Sequence, residues 1–346
     1  MKGKKRKIAL ITGVTGQDGS YLLEFLLKKN YIVHGTKRRT SSVTSTRIDK
    51  YYKDSIFQKE FKLHYCDMTD GSSLSNLIKQ IRPDEVYNLA AQSHVGVSFL
   101  IPEYTSEVNA IGVLKILEAI KSCNKKIKIY QASSSEIFGD TNVKYQDENT
   151  PQNPCSPYAT SKVYSQNLIK NYREAYNLFA VSGILFNHES PRRGEFFVTR
   201  KIVIGLVKIK LGLSDCLYLG NMESKRDWGH AKEYIEAMWK MLQQKKAIDY
   251  VISTGKQYSV KEFIKFVCDY LDIPIVFKGN GLKTIGISKN KIIIRSSKIY
   301  FRPSDVTNLR GNSNLARKKL GWKPKIGIKS LVKEMVDSEL KNFSNR

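Results

Sequence analysis

Near its start the chain carries a short apolar run that ends in glycines: Lys7-Ile8-Ala9-Leu10-Ile11-Thr12, then Gly13-Val14-Thr15-Gly16-Gln17-Asp18-Gly19. The run predicts a buried parallel strand. Leu22, Leu23, Leu26 and Leu27 then recur at helical spacing, which predicts a helix over 20–29. A strand, a Gly-x-x-Gly-x-x-Gly turn and a helix, in that order, constrain the fold more than any other stretch. Glycines let the backbone approach a pyrophosphate closely, and the free N–H groups at a helix start hold it. Gly13, Thr15, Gly16, Gln17, Asp18 and Gly19 are therefore candidates for binding a dinucleotide.

The alternation continues. A strand over 31–35 ends in Thr36-Lys37-Arg38-Arg39. A cofactor with a free ribose 2′-hydroxyl calls for an acidic residue there, whereas an arginine suits a 2′-phosphate, so Arg38 favours NADP over NAD. Strands follow over 61–66, 85–89, 127–132 and 179–185, with helices over 72–81 and 107–121 between them. Asp67 follows the third strand, placed for the adenine end. Leu89-Ala90-Ala91-Gln92-Ser93-His94 closes the fourth with small residues that let a cofactor pass. Strands and helices in turn predict an α/β fold, a doubly wound parallel Rossmann sheet whose ligands lie at the carboxyl ends of the strands. Beyond Leu185 the pattern loosens, with helices over 197–210, 229–243, 260–270, 313–320 and 328–339 and short strands between. This suits a smaller C-terminal α/β substrate lobe. The expected division is residues 1–187 plus about 226–256 for the cofactor domain, and about 188–225 and 257–346 for the substrate lobe.

Two further groups fall on the ligand side. Ser133-Ser134-Ser135-Glu136 ends the fifth strand, and Tyr158-Ala159-Thr160-Ser161-Lys162 opens the next helix. Tyr-x-x-x-Lys at i, i+4 shares one helix face. An ammonium there is expected to lower the phenol pKa and so make Tyr158 a proton acceptor. A tyrosine and lysine alone are commonly a solvated face. The convergence of three such stretches is what points to chemistry.

The chain's 346 residues, 41% hydrophobic and 26% charged, suit one large or two ordinary globular domains. A net charge of +26 also fits a nucleic-acid binder. The lysines, however, are spread along the whole chain and no nucleic-acid-binding motif appears, so much of the excess reads as ordinary lysine-rich surface; a milder reading is that a basic protein favours anionic substrates such as those carrying a diphosphate. Five dispersed cysteines (Cys66, Cys123, Cys155, Cys216, Cys268) lack metal spacing and read as reduced thiols in a cytoplasm, with no metal expected. No apolar run spans a bilayer, and the run behind the basic Met1–Lys7 is too short for a signal peptide.

The glycine turn, the Ser/Glu strand end and Tyr158-x-x-x-Lys162 resemble the extended short-chain dehydrogenase/reductases. Within them the chain is similar to the GDP-mannose 4,6-dehydratases. The likeness runs through Gly13–Leu22, Leu89–Val95, Gly183–Gly194, Lys225–Lys232 and Tyr300-Phe301-Arg302-Pro303. The resemblance implies a recycled NADP and a reaction that oxidises carbon 4 of a GDP-sugar, eliminates water across carbons 5 and 6, and returns the hydride to carbon 6. It makes Tyr158 the base for the carbon-4 hydroxyl, held by Lys162. It gives Glu136 the carbon-5 proton and Ser134 the developing carbon-4 oxygen. Cofactor contacts are implied for Gly13 to Asp18, Arg38, Asp67, Met68, Leu89 to Ser93, Tyr104, Lys162, His188 and Arg193. Ser93, Glu136, Tyr158, Asn187, Arg226 and Arg302 are implied for the substrate. It also implies a homotetramer in which the Arg39–Arg47 loop reaches a neighbouring cofactor site, with neither nucleic acid nor membrane as partner.

The chain departs from relatives at Ser134, usually threonine, at Gly96, usually lysine, and at Ala159-Thr160-Ser161, commonly Gly-Ala-Ala. These changes raise GDP-D-glycero-α-D-manno-heptose as a rival to GDP-mannose. Other readings stay open. Tyr158, Lys162 and the glycine turn fit an NADP-dependent epimerase or reductase equally, and Glu136 is what favours elimination. A non-catalytic NADP- or nucleic-acid-binding protein is the reading from another class. Glu136, His188, Arg193, Arg226 and Arg302 each have an ordinary structural alternative as a paired surface or loop residue.

Overall fold

A computed structural model describes residues 5–41 and 45–344. Seven strands pair in parallel into one sheet: β1 (Ile8–Thr12), β2 (Ile32–Lys37), β3 (Phe61–Tyr65), β4 (Glu85–Asn88), β5 (Lys128–Ala132), β6 (Ala180–Leu185) and β7 (Tyr250–Ile252). Their spatial order is 7-6-5-4-1-2-3. The chain runs outward from β1 to β3, then crosses back to β4 on the other side of β1. The order therefore reverses between β1 and β4, where open α/β sheets leave a ligand crevice.

Helices cover both faces of this sheet: α1 (Gln17–Lys28), α2 (Gly71–Ile81), α3 (Gly112–Cys123), α4 (Pro157–Tyr176), with α5 (Val198–Lys210), α6 (Ala231–Leu242), α7 (Val260–Tyr270) and α8 (Ile328–Ser344) following in the chain. Leu22, Leu23 and Leu26 of α1 meet Met238 and Met241 of α6 over Ile11, Val33 and Tyr87. Fully burying each of those leucines contributes about 1.5–3 kcal/mol. On the other face α2, α3 and α4 enclose Leu10, Val86 and Ile129. Burial on both faces explains why β6 is apolar or small throughout and buried at every position. Glu85 is the charged exception within β4. It is buried and satisfied by Lys7 Nζ and the Tyr87 hydroxyl, both at 2.8 Å.

A second core joins α5, α7 and α8 to a four-stranded sheet of Val276–Lys278, Ile285–Ser288, Lys291–Ser296 and Leu217–Leu219. Ala316, Leu320 and Trp322, although late in the chain, pack with α6 against the large sheet. No helix among the described residues is long and apolar enough to cross a membrane.

Three predicted boundaries need correction. The first helix starts at Gln17, not residue 20, so Asp18 and Gly19 belong to its first turn. The helix expected over 107–121 begins at Pro102, whose ring suits a first helical turn, and passes through one π turn at Glu107–Ile111. That turn aims Asn109 at the Gln92 backbone, where its amide donates to Gln92 O at 3.0 Å and accepts from Gln92 N at 2.9 Å. The helix expected over 229–243 begins at Ala231. Trp228–His230 is instead a strand paired with Asn187–Glu189, and His230 Nδ1 caps the helix through Lys232 N at 3.1 Å.

The tight join between β1 and α1 gives a test. A Cβ at Gly19 would stand 2.4 Å from Gly13 O and 2.6 Å from Val14 Cα. Gly19→Ala should cost about 1–3 kcal/mol in urea unfolding with an unchanged slope. An unchanged midpoint would show that the turn has room to spare.

Candidate functional site

The crevice at the switch point opens into a cavity of about 1050 Å³, walled by the carboxyl ends of the central strands on one side and by α5 and the 299–305 segment on the other. At its head Gly13 takes φ +70°, and a Cβ there would stand 2.9 Å from Ala90 N. Thr12 holds the two strand ends together, its hydroxyl accepting from Leu89 N and Ala90 N at 3.1 Å each. Gly16 caps α1 without a side chain, so the first N–H groups of the helix have no capping oxygen. A cradle that any Cβ would fill, at a bare 12-residue helix start, fits the pyrophosphate of a dinucleotide.

Every expected substrate residue lines the cavity: Ser93, Glu136, Tyr158, Asn187, Arg226 and Arg302. Of the expected cofactor residues, Asp18, Leu89, Ala91, Ser93, Lys162, His188 and Arg193 line it too, as does Ser134. Gly13, Thr15, Gly16, Gln17, Gly19, Arg38, Asp67, Met68, Ala90 and Tyr104 lie outside its lining. Arg38 donates to the Tyr104 hydroxyl at the end of β2. Asp67 turns to Thr69 instead, accepting from its N–H and hydroxyl at 2.9 Å. The Met68 side chain is buried in the core against Gly112, which leaves only its main chain for a ligand. Residues 42–44 of the Arg39–Arg47 loop lie outside the described residues. Arg47 itself folds onto its own chain, donating to Thr15 O at 3.2 Å and Arg192 O at 2.9 Å.

Ser156 caps α4, accepting from Ala159 N at 3.1 Å, and Pro157 fills its first position. This start places Tyr158 and Lys162 on the buried face, beside the end of β5. Ser134 Oγ accepts from Glu136 N at 3.2 Å and so turns Glu136 back into the cavity. Arg226 Nε and Arg302 Nη1 face Glu136 Oε1 at 4.0 and 3.8 Å. Both arginines also share Asp305, at 3.1 and 3.4 Å. Asp305 and Lys201 line the same cavity and escaped the sequence reading. Asp305 stands three residues after Arg302 in the Tyr-Phe-Arg-Pro stretch, which is the signal that could have found it.

The expected electrostatics of the Tyr/Lys pair are reversed. Burial pushes the Tyr158 phenol up to about 12; its hydrogen bond with Ser134 and the charge of Arg193 pull the other way, and Glu136 adds to the rise. Burial also brings the Lys162 ammonium down to about 8. Lys162 Nζ donates to Ala132 O at 2.8 Å and lies 5.7 Å from the tyrosine ring centre. Its charge is spent on a carbonyl rather than on the phenol, so desolvation wins. The Ala159-Thr160-Ser161 segment also faces away from the cavity. Thr160 is exposed, Ala159 is buried, and Ser161 Oγ donates back to Tyr158 O at 2.7 Å.

The chain matches the model of the family "GDP-mannose 4,6 dehydratase" over residues 10–335. It is 51% identical to the GDP-mannose 4,6-dehydratase of Vibrio cholerae, covering 97% of this chain and 94% of that one. It is 48% identical to the human GDP-mannose 4,6 dehydratase, covering 98% and 92%. Among solved structures it resembles DesIV, a dTDP-glucose 4,6-dehydratase from Streptomyces venezuelae with NAD and TYD bound. The TM-score there is 0.82 over 97% of this chain and 98% of that one, at 19% identity, a likeness of fold.

His188 joins the two walls at the head of the cavity. Its Nδ1 meets Phe186 O and its Nε2 meets Asp18 Oδ2, both at 2.8 Å. Both partners are acceptors, so the ring carries both protons. Burial lowers the His188 pKa, but the Asp18 charge and hydrogen bond outweigh it and the net shift is upward. Burial likewise opposes the Asp18 charge, yet His188 holds that carboxyl below its ordinary 3.8. A depressed carboxyl stabilises the fold above its unfolded pKa and loses this as pH falls. A raised imidazole stabilises below 6.5 and loses this as pH rises through the folded value. The pair therefore contributes most between those two ordinary values and fades on the alkaline side. The gap in urea stability between wild type and Asp18→Asn should be widest between the ordinary values 3.8 and 6.5 and shrink as pH rises through the raised imidazole pKa. A gap independent of pH would contradict the ion pair.

Proposed function

The chain belongs to the GDP-mannose 4,6-dehydratase family, a class of hydro-lyases, and from that premise we propose that it converts a GDP-linked manno-configured sugar to its 4-keto-6-deoxy product with a recycled NADP. The observation that carries this reading is the buried Glu136 carboxylate in one cavity with Ser134, Tyr158 and Lys162. Alcohol oxidation alone needs no such carboxylate, whereas elimination beside a ketone does.

When bound, a nicotinamide dinucleotide would supply a hydride acceptor that is regenerated within the same turnover. The chain's own residues do the rest. Tyr158 takes the proton of the carbon-4 hydroxyl, and Ser134, which lines the cavity beside it, steadies the developing oxygen. Because burial favours the neutral phenol, Tyr158 acts as a base only while Ser134 and the cations around it hold the phenolate. Glu136 removes the carbon-5 proton once carbon 4 is a ketone, and protonates the departing carbon-6 hydroxyl. Carbon 6 takes the hydride back and carbon 5 takes a proton, in sum the one lost from the carbon-4 hydroxyl, so the product differs from substrate by one water. Arg226 and Arg302 hold the diphosphate, as planar forks suited to phosphate oxygens. Ser93 and Asn187 lie along the sugar. Gly13, Thr15, Gly16, Gln17, Asp18 and Gly19 hold the pyrophosphate of NADP; Arg38 with Tyr104 takes its 2′-phosphate. Asp67, the Met68 main chain, Leu89, Ala90, Ala91, Ser93, Lys162, His188 and Arg193 complete its site.

The same reading divides the chain into a cofactor domain, 1–187 plus about 226–256, and a substrate lobe, about 188–225 and 257–346, from which Ala316, Leu320 and Trp322 pack back against the large sheet. It also has the protein working in the cytoplasm as a homotetramer, with the Arg39–Arg47 loop near a neighbouring cofactor site. Velocity sedimentation tests the assembly. A second substrate, GDP-D-glycero-α-D-manno-heptose, is favoured by Gly96, which lines the cavity where relatives carry a long cation. Fitting or excluding one more hydroxymethyl is a difference of about 1–3 kcal/mol in preference.

Incubation with each GDP-sugar in deuterated water should give a 4-keto-6-deoxy product with deuterium at carbon 5. No turnover of either by NADP-loaded protein would defeat the proposal. Glu136→Gln should lower kcat by at least about a hundredfold. Tyr158→Phe should suppress even the first appearance of reduced cofactor, and normal reduction in that variant would remove its role as base.

A further inference from the structure

Arg192 and Arg193 are neighbours in the chain but point apart. Arg193 faces inward, its Nε 3.1 Å from Glu189 and its guanidinium 3.8 Å from the Phe197 ring centre. Arg192 faces outward onto the first two turns of α1. Its Nη1 donates to Ser20 Oγ at 3.1 Å, its Nη2 to Glu24, and its guanidinium lies 4.1 Å from the Tyr21 ring centre. Its carbonyl accepts from Arg47, which also reaches Thr15 O. Gln17 adds a parallel link, donating to His188 O at 3.1 Å and accepting from Ser190 Oγ at 2.8 Å.

These bonds fasten the 187–193 loop to the helix whose bare start forms the dinucleotide cradle. His188 and Arg193 form one wall of the cavity head and α1 the other. A ligand held between two walls leaves when they part. Unlike Asp18, His188 and Arg193, Arg192 does not line the cavity, so its effect reaches a ligand only through the wall it holds. We propose that Arg192 is a positioning residue that clamps the loop carrying His188 and Arg193 onto α1, and thereby sets how slowly the nicotinamide dinucleotide leaves. The inference rests on the reading that this cofactor lies against the glycine turn.

The test loads purified protein with NADPH and follows release, by loss of bound-nucleotide fluorescence, against excess NADP. Losing a charged hydrogen bond of this kind should make Arg192→Ala release roughly tenfold faster than wild type. Glu24→Gln should speed release by a smaller factor, and adding it to Arg192→Ala should change nothing further, because both act through one contact. The KM for GDP-mannose should stay within about twofold, whereas a general loosening of the fold would move both. Release at the wild-type rate from Arg192→Ala would overturn the proposal. If that variant does not fold, an unchanged rate in Glu24→Gln would do the same. Wild-type protein that takes up no NADPH would instead bring down the cofactor reading and the proposal with it.

Discussion

The molecule is organised around an approach of backbones that no side chain could survive. Gly13 comes within 2.9 Å of Ala90 measured from where its Cβ would be, and Gly19 within 2.4 Å of Gly13. This lets α1 start directly beside the ends of β1 and β4, at the point where the strand order reverses. The Thr12 hydroxyl, shared by two N–H groups of the crossing chain, holds the gap at that width. The cavity, the exposed helix start and the side chains at the strand ends all take their positions from this join.

Burial then decides the chemistry of the groups placed there, and not always in the direction that pairing rules suggest. Tyr158 and Lys162 share a face, yet desolvation raises one and lowers the other, because the lysine gives its hydrogen bond to Ala132 O. Asp18 and His188 face the same penalty and overcome it, since they touch each other directly. The contrast is one of distance: contact at 2.8 Å repays desolvation, and a charge 5.7 Å from a ring centre does not.

Much of this was legible beforehand. The strand–turn–helix opening, the parallel alternation and the placing of Ser134, Glu136, Tyr158 and Lys162 at the ligand side all follow from apolar periodicity and strand ends. What was hidden depends on neighbours distant in the chain. Trp228–His230 reads as the start of a helix until Asn187–Glu189 lies beside it to pair. Met68 resembles a ligand contact in a motif, but α3 covers its side chain. Thr160 and Ser161 sit inside the most suggestive motif of the chain and still face away from the cavity, because helical geometry sends only one stripe of it inward.

The sequence by itself determined the fold class, the family and the strand ends and helix start that meet at the crevice, since these depend on local periodicity and on glycines whose purpose is local. Only the tertiary structure decided which charges meet. Arg226 and Arg302 share Asp305 before any ligand is considered, His188 takes Asp18 from 170 residues away, and Arg192 turns from its neighbour to hold α1. Ion pairs act across space and hydrogen bonds demand contact, so apart from the short step between Arg302 and Asp305 no pattern along the chain assigns those partners.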